Sequence, residues 1–139
     1  MKHIEVVAAI IQHKGKTLCV QRAESKYDYI SKKFEFPGGK VEEGESNEAA
    51  IIREIKEELE LDIQISAPYL SVFHEYPDFA ITMHGFLCNA ENDQLILNEH
   101  IDFKWLSISE LDQLDWAAAD IPFVNKLKES LWVLKMTTC

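Results

Sequence analysis

The order of strand and helix patterns along this chain predicts an α/β fold, with helices on both faces of a mixed β-sheet. Two strand-like runs come first, an amphipathic acidic helix follows, two longer strand-like runs come next, and capped helices lie near the end. At 139 residues the chain has ordinary one-domain size, and its 47% hydrophobic content is enough for one core. We therefore expect a single domain over residues 1–139.

The first two strands are predicted to form a hairpin. Ile4–Gln12 and Thr17–Arg22 are rich in β-branched residues and flank His13–Lys16, whose composition is typical of a turn. Polar residues then dominate from Ala23 to Lys33. The Phe36-Pro37-Gly38-Gly39 segment is predicted to be a turn, in which glycine lets the backbone approach a ligand or adopt a positive φ.

The acidic segment that follows predicts a helix with two faces. Its apolar residues recur at helical spacing and can dock on a core, and they are Ile51, Ile52, Ile55 and Leu59. On a neighbouring face, Glu54, Glu57 and Glu58 project within one turn of each other. Ser46 is the predicted N-cap, without a capping box because Ala49 stands three residues later.

Three carboxylates on one helical turn indicate a cation site. Like charges at this spacing weaken an isolated helix by a few tenths of a kcal/mol per pair, so stability does not favour the arrangement. A divalent cation reverses that effect, and Mg²⁺ commonly joins one or two carboxylates to substrate phosphates. The alternative is a solvated acidic helix that only covers a core.

The second half of the chain predicts further strands and short helices. Ile63–Glu75 and Phe79–Asn89 are predicted strands joined by a turn at Tyr76–Asp78. Glu99–Leu106 ends in another short strand, and Ser107–Glu110 has the capping-box spacing that opens a short helix.

Charge and cysteine content exclude several kinds of protein. A formal charge of −10 argues against general affinity for polyanions, so we expect neither duplex nucleic acid nor an anionic membrane as partner. The apolar run Val6–Ile11 is too short for a signal peptide or a membrane span, and a cytoplasmic location is expected. Cys19, Cys88 and Cys139 have no zinc or redox spacing and are predicted to be core or terminal thiols.

The acidic segment resembles the Nudix box, a pattern of Gly, five residues, Glu, seven residues, Arg-Glu, an aliphatic residue, any residue, Glu-Glu, any residue, Gly and an aliphatic residue. The positions that match in register are Gly39, Glu45, Arg53, Glu54, Ile55, Glu57, Glu58 and Leu61. Glu60 departs from the pattern, because the family has its last glycine there. A left-handed non-glycine residue costs roughly 1–2 kcal/mol, so we expect a strained or differently closed helix end.

Three other segments, Ile4–Ile11, Glu35–Lys40 and Ala118–Pro122, resemble the MutT branch of this family, and especially its bacterial CTP pyrophosphohydrolases. The resemblance implies the Nudix fold, an α/β/α sandwich around a mixed sheet. It also implies hydrolysis of nucleoside triphosphates to the monophosphate and pyrophosphate, with CTP- or dCTP-like or oxidised purine nucleotides as substrates, as in 8-oxo-dGTP diphosphatases.

The same resemblance implies Mg²⁺, or Mn²⁺ in its place, as the cofactor. The implied metal ligands are the backbone carbonyl of Gly38 and the carboxylates of Glu54, Glu57, Glu58 and Glu99. Arg53 would orient these glutamates through charge-assisted hydrogen bonds. A carboxylate would take the proton from the attacking water, with Glu54 the first choice of general base and Glu99 the second.

Substrate contacts are expected away from the acidic helix. Arg22 and Lys40 are available for phosphates, and the resemblance places Arg22 and Glu35 near the sugar or the phosphates. The side chains that could wall a base pocket by stacking are Phe36, Tyr76, Phe79 and Met83. Such side chains on strands are more often part of a core. His74, His84 and His100 have no metal-ligand spacing and are expected to be structural or solvent-facing.

Asp120 has two interpretations. It can be the N-cap of the last helix, with Pro122 in the first turn, or it can accept hydrogen bonds from a nucleobase. By the resemblance, MutT has an amide at this position, so a carboxylate argues against strict selectivity for 8-oxoguanine.

Two functions of different classes fit these patterns. One is an Mg²⁺-dependent nucleotide pyrophosphohydrolase, and the other is a non-catalytic nucleotide or metal sensor on the same fold. The intact acidic motif favours the enzyme. The sequence leaves open whether the protein is a monomer or a homodimer.

Overall fold

A computed structural model describes the backbone of residues 1–137 and the side chains of residues 1–130. Cys139, one of the predicted core or terminal thiols, lies outside the described residues. The elements in chain order are β1 (Lys2–His13), β2 (Lys16–Gln21), β3 (Phe34–Glu35), β4 (Gly38–Lys40), α1 (Asn47–Leu59), β5 (Ile63–Glu75), β6 (Phe79–Ala90), β7 (Asp102–Leu106) and α2 (Ile121–Thr137). Short 3₁₀ helices cover Ile108–Gln113 and Ala118–Asp120.

The strands form one mixed sheet in the order β3-β2-β1-β6-β5, with β4 paired to β1 and β7 paired to β2. Strands β1 and β6 are parallel, and the other pairs are antiparallel. Successive residues of β1 point to opposite faces. Ile11 therefore packs with Ile55 of α1, whereas Ile10 packs with Phe123 of α2. Helices cover both faces, which confirms the predicted α/β/α sandwich.

The predicted hairpin is confirmed, and its turn consists of two residues. His13 pairs with Lys16, and the residues between them, Lys14 and Gly15, have φ values of 49° and 77°. Two consecutive positive φ values match the right-handed twist of the flanking strands, which is why this turn type connects antiparallel neighbours.

Helix α1 begins as predicted, because Ser46 Oγ accepts a hydrogen bond from the Ala49 N–H at 3.1 Å. One part of the predicted apolar stripe is wrong. Ile51 and Ile55 are fully buried, but Ile52 is 51% exposed. A helix turns about 100° per residue. Ile51 and Ile55, four positions apart, therefore share the buried face, whereas Ile52 lies to one side of it.

The C-terminal end of α1 keeps the left-handed closure despite its missing glycine. Glu60 has φ 51° and ψ 40°, and its N–H donates to the Lys56 carbonyl at 3.1 Å. The Asn98 side chain donates to the carbonyl of Glu57 at 2.8 Å, so the helix end also has a partner from a distant segment. The expectation of a strained end is confirmed in its geometry.

The prediction of a turn at residues 36–39 is wrong. Gly38 and Gly39 form strand β4, which pairs with β1, and neither glycine has a positive φ. A Cβ at Gly38 would collide with the Val7 carbonyl, and one at Gly39 would lie 2.5 Å from the Glu54 carboxyl carbon. These glycines therefore permit close approach between β4, β1 and α1.

The later elements agree with the sequence. The Tyr76 N–H donates to the Phe79 carbonyl at 2.8 Å and closes the turn between β5 and β6. Ser107 and Glu110 form the predicted capping box, although the helix that follows is 3₁₀. Cys19 and Cys88 are buried free thiols whose pKa values burial raises to about 12. In the described part of the chain, no helix is both long and apolar enough to cross a membrane.

Candidate active site

One cleft of about 1040 Å³ brings together every residue for which the sequence predicted a site role. Its volume is in the range of small-molecule binding sites. The predicted residues that line it are Arg22, Glu35, Phe36, Gly38, Lys40, Arg53, Glu54, Glu57, Glu58, Tyr76, Phe79, Met83, Glu99 and Asp120. The fold therefore brings residues from distant parts of the chain to one cleft, and the roles of these residues stay predictions.

Carboxylates crowd one end of the cleft. Glu58 is only 6% exposed, and its Oε2 atom is buried without a hydrogen-bond partner among the described residues. Burial, followed by the charges of Glu54, Glu35 and Glu99 and by a hydrogen bond with the Glu99 carboxyl, raises the pKa of Glu58 to about 9. Burial also raises the pKa of Glu54. Without a cation this end of the cleft retains protons that free carboxylates lose.

Arg53 holds the acidic helix to the segment before it. Its Nε and Nη2 atoms donate to both oxygens of Glu45, at 2.7 and 2.9 Å, and this paired contact lowers the pKa of Glu45 to about 2. Its Nη1 atom donates to Glu54 Oε1 at 2.9 Å and to Glu57 Oε2 at 3.3 Å. Arg53 thus binds both oxygens of Glu45 but only one oxygen each of Glu54 and Glu57.

This arrangement bears on metal binding. Among the described residues, no three His, Cys, Asp or Glu side chains are arranged so that they could hold a metal ion as they stand. The donor set nevertheless fits Mg²⁺, which needs oxygen ligands and keeps several waters of its own. The buried, unpartnered oxygen of Glu58 is the observation that fits a cation best, because an ion would satisfy it and offset the neighbouring charges.

A second group of polar side chains lies beside the carboxylates. The Arg22 Nη1 atom donates to Glu35 Oε1 at 3.0 Å, and the His100 Nε2–H donates to Glu35 Oε2 at 3.0 Å. The His100 side chain is only 5% exposed, in accord with a structural role, but it also lines the cleft. Sequence reasoning missed that position because His100 belongs to no recognisable spacing. His74 and His84 lie on β5 and β6 and do not line this cleft.

Asp120 lies among the buried residues of the cleft and does not cap its helix as one interpretation held. Its Oδ1 atom accepts a hydrogen bond from the Phe36 N–H at 2.9 Å, and its residue is 2% exposed. The 3₁₀ turn from Ala118 runs directly into α2, so helical geometry has already begun before Asp120. Burial, followed by the charge of Glu35, raises the pKa of Asp120 well above its ordinary range.

Aromatic side chains line the cleft near Asp120. Tyr76 is 6% exposed, and its hydroxyl oxygen accepts from the Ala119 N–H at 3.0 Å. Tyr29 does not itself line the cleft, but its ring stacks on Tyr76 with centroids 5.2 Å apart and on Tyr27, which does line it, at 5.4 Å. Sequence reasoning missed both tyrosines, since the polar composition of their segment concealed two aromatics at alternate positions. Phe36 and Met83 are buried, as expected for core residues that also line the cleft.

Comparisons with known proteins show similarity along most of the chain. A NUDIX domain family model matches residues 1–127. The CTP pyrophosphohydrolase of Escherichia coli K12 is 38% identical over 126 residues, which cover 90% of this chain and 91% of that protein. The 8-oxo-dGTP diphosphatase of the same strain is 30% identical over 128 residues, covering 92% and 98%. The crystal structure of a MutT protein from Methanosarcina mazei Go1 gives a TM-score of 0.81 at 26% identity, covering 93% of this chain and 95% of that one.

Proposed function

The chain belongs to the Nudix hydrolase family, and from this premise we propose that it is an Mg²⁺-dependent nucleoside triphosphate pyrophosphohydrolase. Its products would be the nucleoside monophosphate and pyrophosphate. The observation that carries the proposal is the partnerless oxygen of Glu58 in a carboxylate cluster, at one end of a cleft of nucleotide size. The clearing of unwanted nucleotides from the cellular pool would be its purpose.

The acidic end of the cleft would hold the metal. The proposed ligands are the carbonyl of Gly38 and the carboxylates of Glu54, Glu57, Glu58 and Glu99. When bound, Mg²⁺ offsets the charge that builds on the phosphoryl oxygens and makes a bound water more acidic.

The protein's own groups would position the triphosphate and move the proton. Arg22 and Lys40 line the cleft and would neutralise phosphate charge that the carboxylates repel. Glu54 is the proposed general base and Glu99 the alternative. Arg53 would keep Glu54 oriented through its hydrogen bond to Oε1.

Asp120 would read the base, with the aromatic side chains around it stacking on the ring. The raised pKa of Asp120 favours the protonated acid, whose hydroxyl would be a donor and whose Oδ1, although it accepts from the Phe36 N–H, has a second lone pair as an acceptor. Cytosine offers the matching pair, an N3 acceptor beside an amino donor, whereas an oxidised guanine offers adjacent N–H donors that match an ionised carboxylate. Of the two substrate classes, CTP- or dCTP-like and oxidised purine nucleotides, this pairing supports the first.

The test is pyrophosphate release from CTP, dCTP, 5-methyl-dCTP, 8-oxo-dGTP and dGTP, each with Mg²⁺ and with EDTA. We expect Mg²⁺-dependent release of pyrophosphate, with a cytosine nucleotide as best substrate. Orthophosphate as the first product would contradict the proposed cleavage position. Tight nucleotide binding with no turnover of any nucleotide would contradict the enzymatic function and support the sensor.

A further inference from the structure

The segment before Glu99 is attached to the C-terminal end of α1. The Ile96 N–H donates to the Leu59 carbonyl at 2.9 Å, and the Asn98 N–H donates to the Glu58 carbonyl at 3.0 Å. The Asn98 side chain donates to the Glu57 carbonyl at 2.8 Å. The last carbonyls of a helix have no hydrogen-bond donor within the helix, and this segment supplies donors to three of them.

Asn98 also reaches the residue that departs from the family pattern. Its Nδ2 atom donates to Glu60 Oε2 at 3.2 Å, so the amide uses both of its N–H groups on the end of α1. A glycine at position 60 has no side chain and could not accept this bond. The left-handed Glu60 therefore supplies a contact that the usual glycine lacks.

The attachment fixes the chain directly before Glu99, and on the other side the Ile101 N–H donates to the Gln21 carbonyl at 3.0 Å. Residues 92–97 have no helix or strand, so hydrogen bonds between strands do not hold them. Glu99 immediately follows Asn98 and lines the cleft together with Glu57 and Glu58. Asn98 binds the main chain of those same two glutamates, so the hydrogen bonds of one residue connect Glu99 to the turn that carries them.

We propose that Asn98 is a positioning residue, which holds Glu99 beside the carboxylates of α1, and that Glu60 is the side-chain acceptor that helps to orient it. The inference rests on the proposed function, because it concerns the same metal-binding end of the cleft. Asn98 itself touches neither substrate nor metal in this scheme. It acts by limiting the freedom of the segment that carries Glu99.

The main test is Asn98→Ala with Asn92→Ala as matched control. Asn92 lies in the same segment, its Oδ1 accepts from the Gln94 N–H at 3.0 Å, and the change removes the same atoms without touching α1. Mg²⁺ binding to the nucleotide-free protein is measured by titration calorimetry, and kcat and KM are measured over a range of Mg²⁺ concentrations. We expect Asn98→Ala to raise the dissociation constant for Mg²⁺ about tenfold. The Mg²⁺ concentration that gives half-maximal turnover should rise by the same factor. KM for the nucleotide at saturating Mg²⁺ should stay within about twofold, and Asn92→Ala should behave as the wild type.

Position 60 provides a second test, which remains available if Asn98→Ala fails to fold. Glu60→Gln keeps an acceptor oxygen and the left-handed strain, whereas Glu60→Ala keeps the strain and removes the acceptor. We expect Glu60→Gln to bind Mg²⁺ like the wild type and Glu60→Ala to bind it about threefold more weakly, the low end for losing one hydrogen bond. Equal Mg²⁺ affinity of these two variants would overturn the role of Glu60.

The failure of this inference differs from failure of the proposed function. If the wild type releases pyrophosphate and Asn98→Ala loses thermal stability while its Mg²⁺ affinity is unchanged, Asn98 is only a helix cap and the inference is overturned. An equal loss of Mg²⁺ affinity in Asn92→Ala would overturn it as well. If the wild type turns over no nucleotide but Asn98→Ala still weakens Mg²⁺ binding, the positioning role holds and the enzymatic proposal fails.

Discussion

Replacing Glu60 by glycine tests how the end of the acidic helix is stabilised. The change restores the residue usual in the family at a position with φ 51°. A non-glycine residue in the left-handed region costs roughly 1–2 kcal/mol, so glycine removes that strain. It also removes the Glu60 carboxylate, which accepts a hydrogen bond from Asn98 at 3.2 Å.

Two costs oppose the relief of strain. Glycine gains freedom in the unfolded chain, which lowers stability by about 0.5–1 kcal/mol. The lost hydrogen bond contributes about 0.5 kcal/mol, at the low end for such bonds, because Glu60 is exposed and its charge is screened. These terms together give a change in the free energy of unfolding between about −0.5 and +1 kcal/mol for Glu60→Gly in the wild type, a range that includes no change.

The hydrogen bond can be isolated by repeating the change in an Asn98→Ala background. There the bond is already gone, so Glu60→Gly should be more stabilising than in the wild type by about 0.5 kcal/mol, which gives a gain of about 0–1.5 kcal/mol. Urea unfolding of the four proteins without metal measures both values, and a gain of 1 kcal/mol corresponds to a melting point higher by about 3 °C for a chain of this size. Equal effects of Glu60→Gly in the two backgrounds would refute the coupling between Glu60 and Asn98. If Glu60→Gly destabilised the protein by more than about 1 kcal/mol in both backgrounds, the relief of backbone strain at position 60 would be smaller than the opposing costs.

Three further predictions concern the cleft. Glu57→Gln should leave the fold intact but weaken Mg²⁺ binding and slow turnover by about a hundredfold or more, because a carboxylate ligand is lost. Asp120→Ala should lower kcat/KM for the best nucleotide by roughly ten- to a hundredfold, about 1.4–2.7 kcal/mol, while Asp120→Asn, which presents a donor and an acceptor like the protonated acid, should keep most activity on a cytosine nucleotide. The rise in melting temperature on adding Mg²⁺ should be larger at pH 8 than at pH 6. Glu58 has a pKa of about 9 without metal, so the metal-free protein loses stability as pH rises from about 4.5 towards 9, and Mg²⁺ competes with the proton less as pH rises.

Each of these predictions has a result that would contradict it. Near-normal turnover of Glu57→Gln at saturating Mg²⁺ would remove Glu57 from the metal site. An equal loss of kcat/KM on all nucleotides in Asp120→Ala would mean that the base is read elsewhere. An Mg²⁺-induced shift that is the same at pH 6 and pH 8, or that also persists in Glu58→Gln, would show that the Glu58 carboxyl does not bind the ion.

Local signals in the sequence predicted the elements that depend on local physics. Lys14-Gly15 between two β-rich runs is such a signal, because a two-residue turn and strand propensity act over few residues. The spacing of Glu54, Glu57 and Glu58 placed three carboxylates on one face for the same reason, since helical geometry alone decides it.

The errors concern residues whose partners lie far along the chain. Gly38 reads as a turn residue, but its small size is required by the carbonyl of Val7 on a neighbouring strand. Of the two interpretations of Asp120, the helix cap is wrong, because its Oδ1 atom accepts a hydrogen bond from the Phe36 N–H, 84 residues earlier. His100 lies in the cleft, where it donates a hydrogen bond to Glu35, a residue 65 positions earlier in the chain. No pattern within a short window encodes such pairings.

The parallel pairing of β1 with β6 also bears on how the cleft comes into existence. Lys2 pairs with Phe79 and Gln12 with Asn89, so these partners lie more than half the chain length apart. Closing so long a loop costs entropy before any contact repays it, and pairings of this kind fold slowly compared with a hairpin or a helix. Helix α1 can form from neighbouring residues, yet the part of the cleft that Phe79 and Met83 of β6 line is absent until β1 and β6 meet. Nucleotide affinity should therefore develop only with this late step during refolding, after helical signal has already appeared.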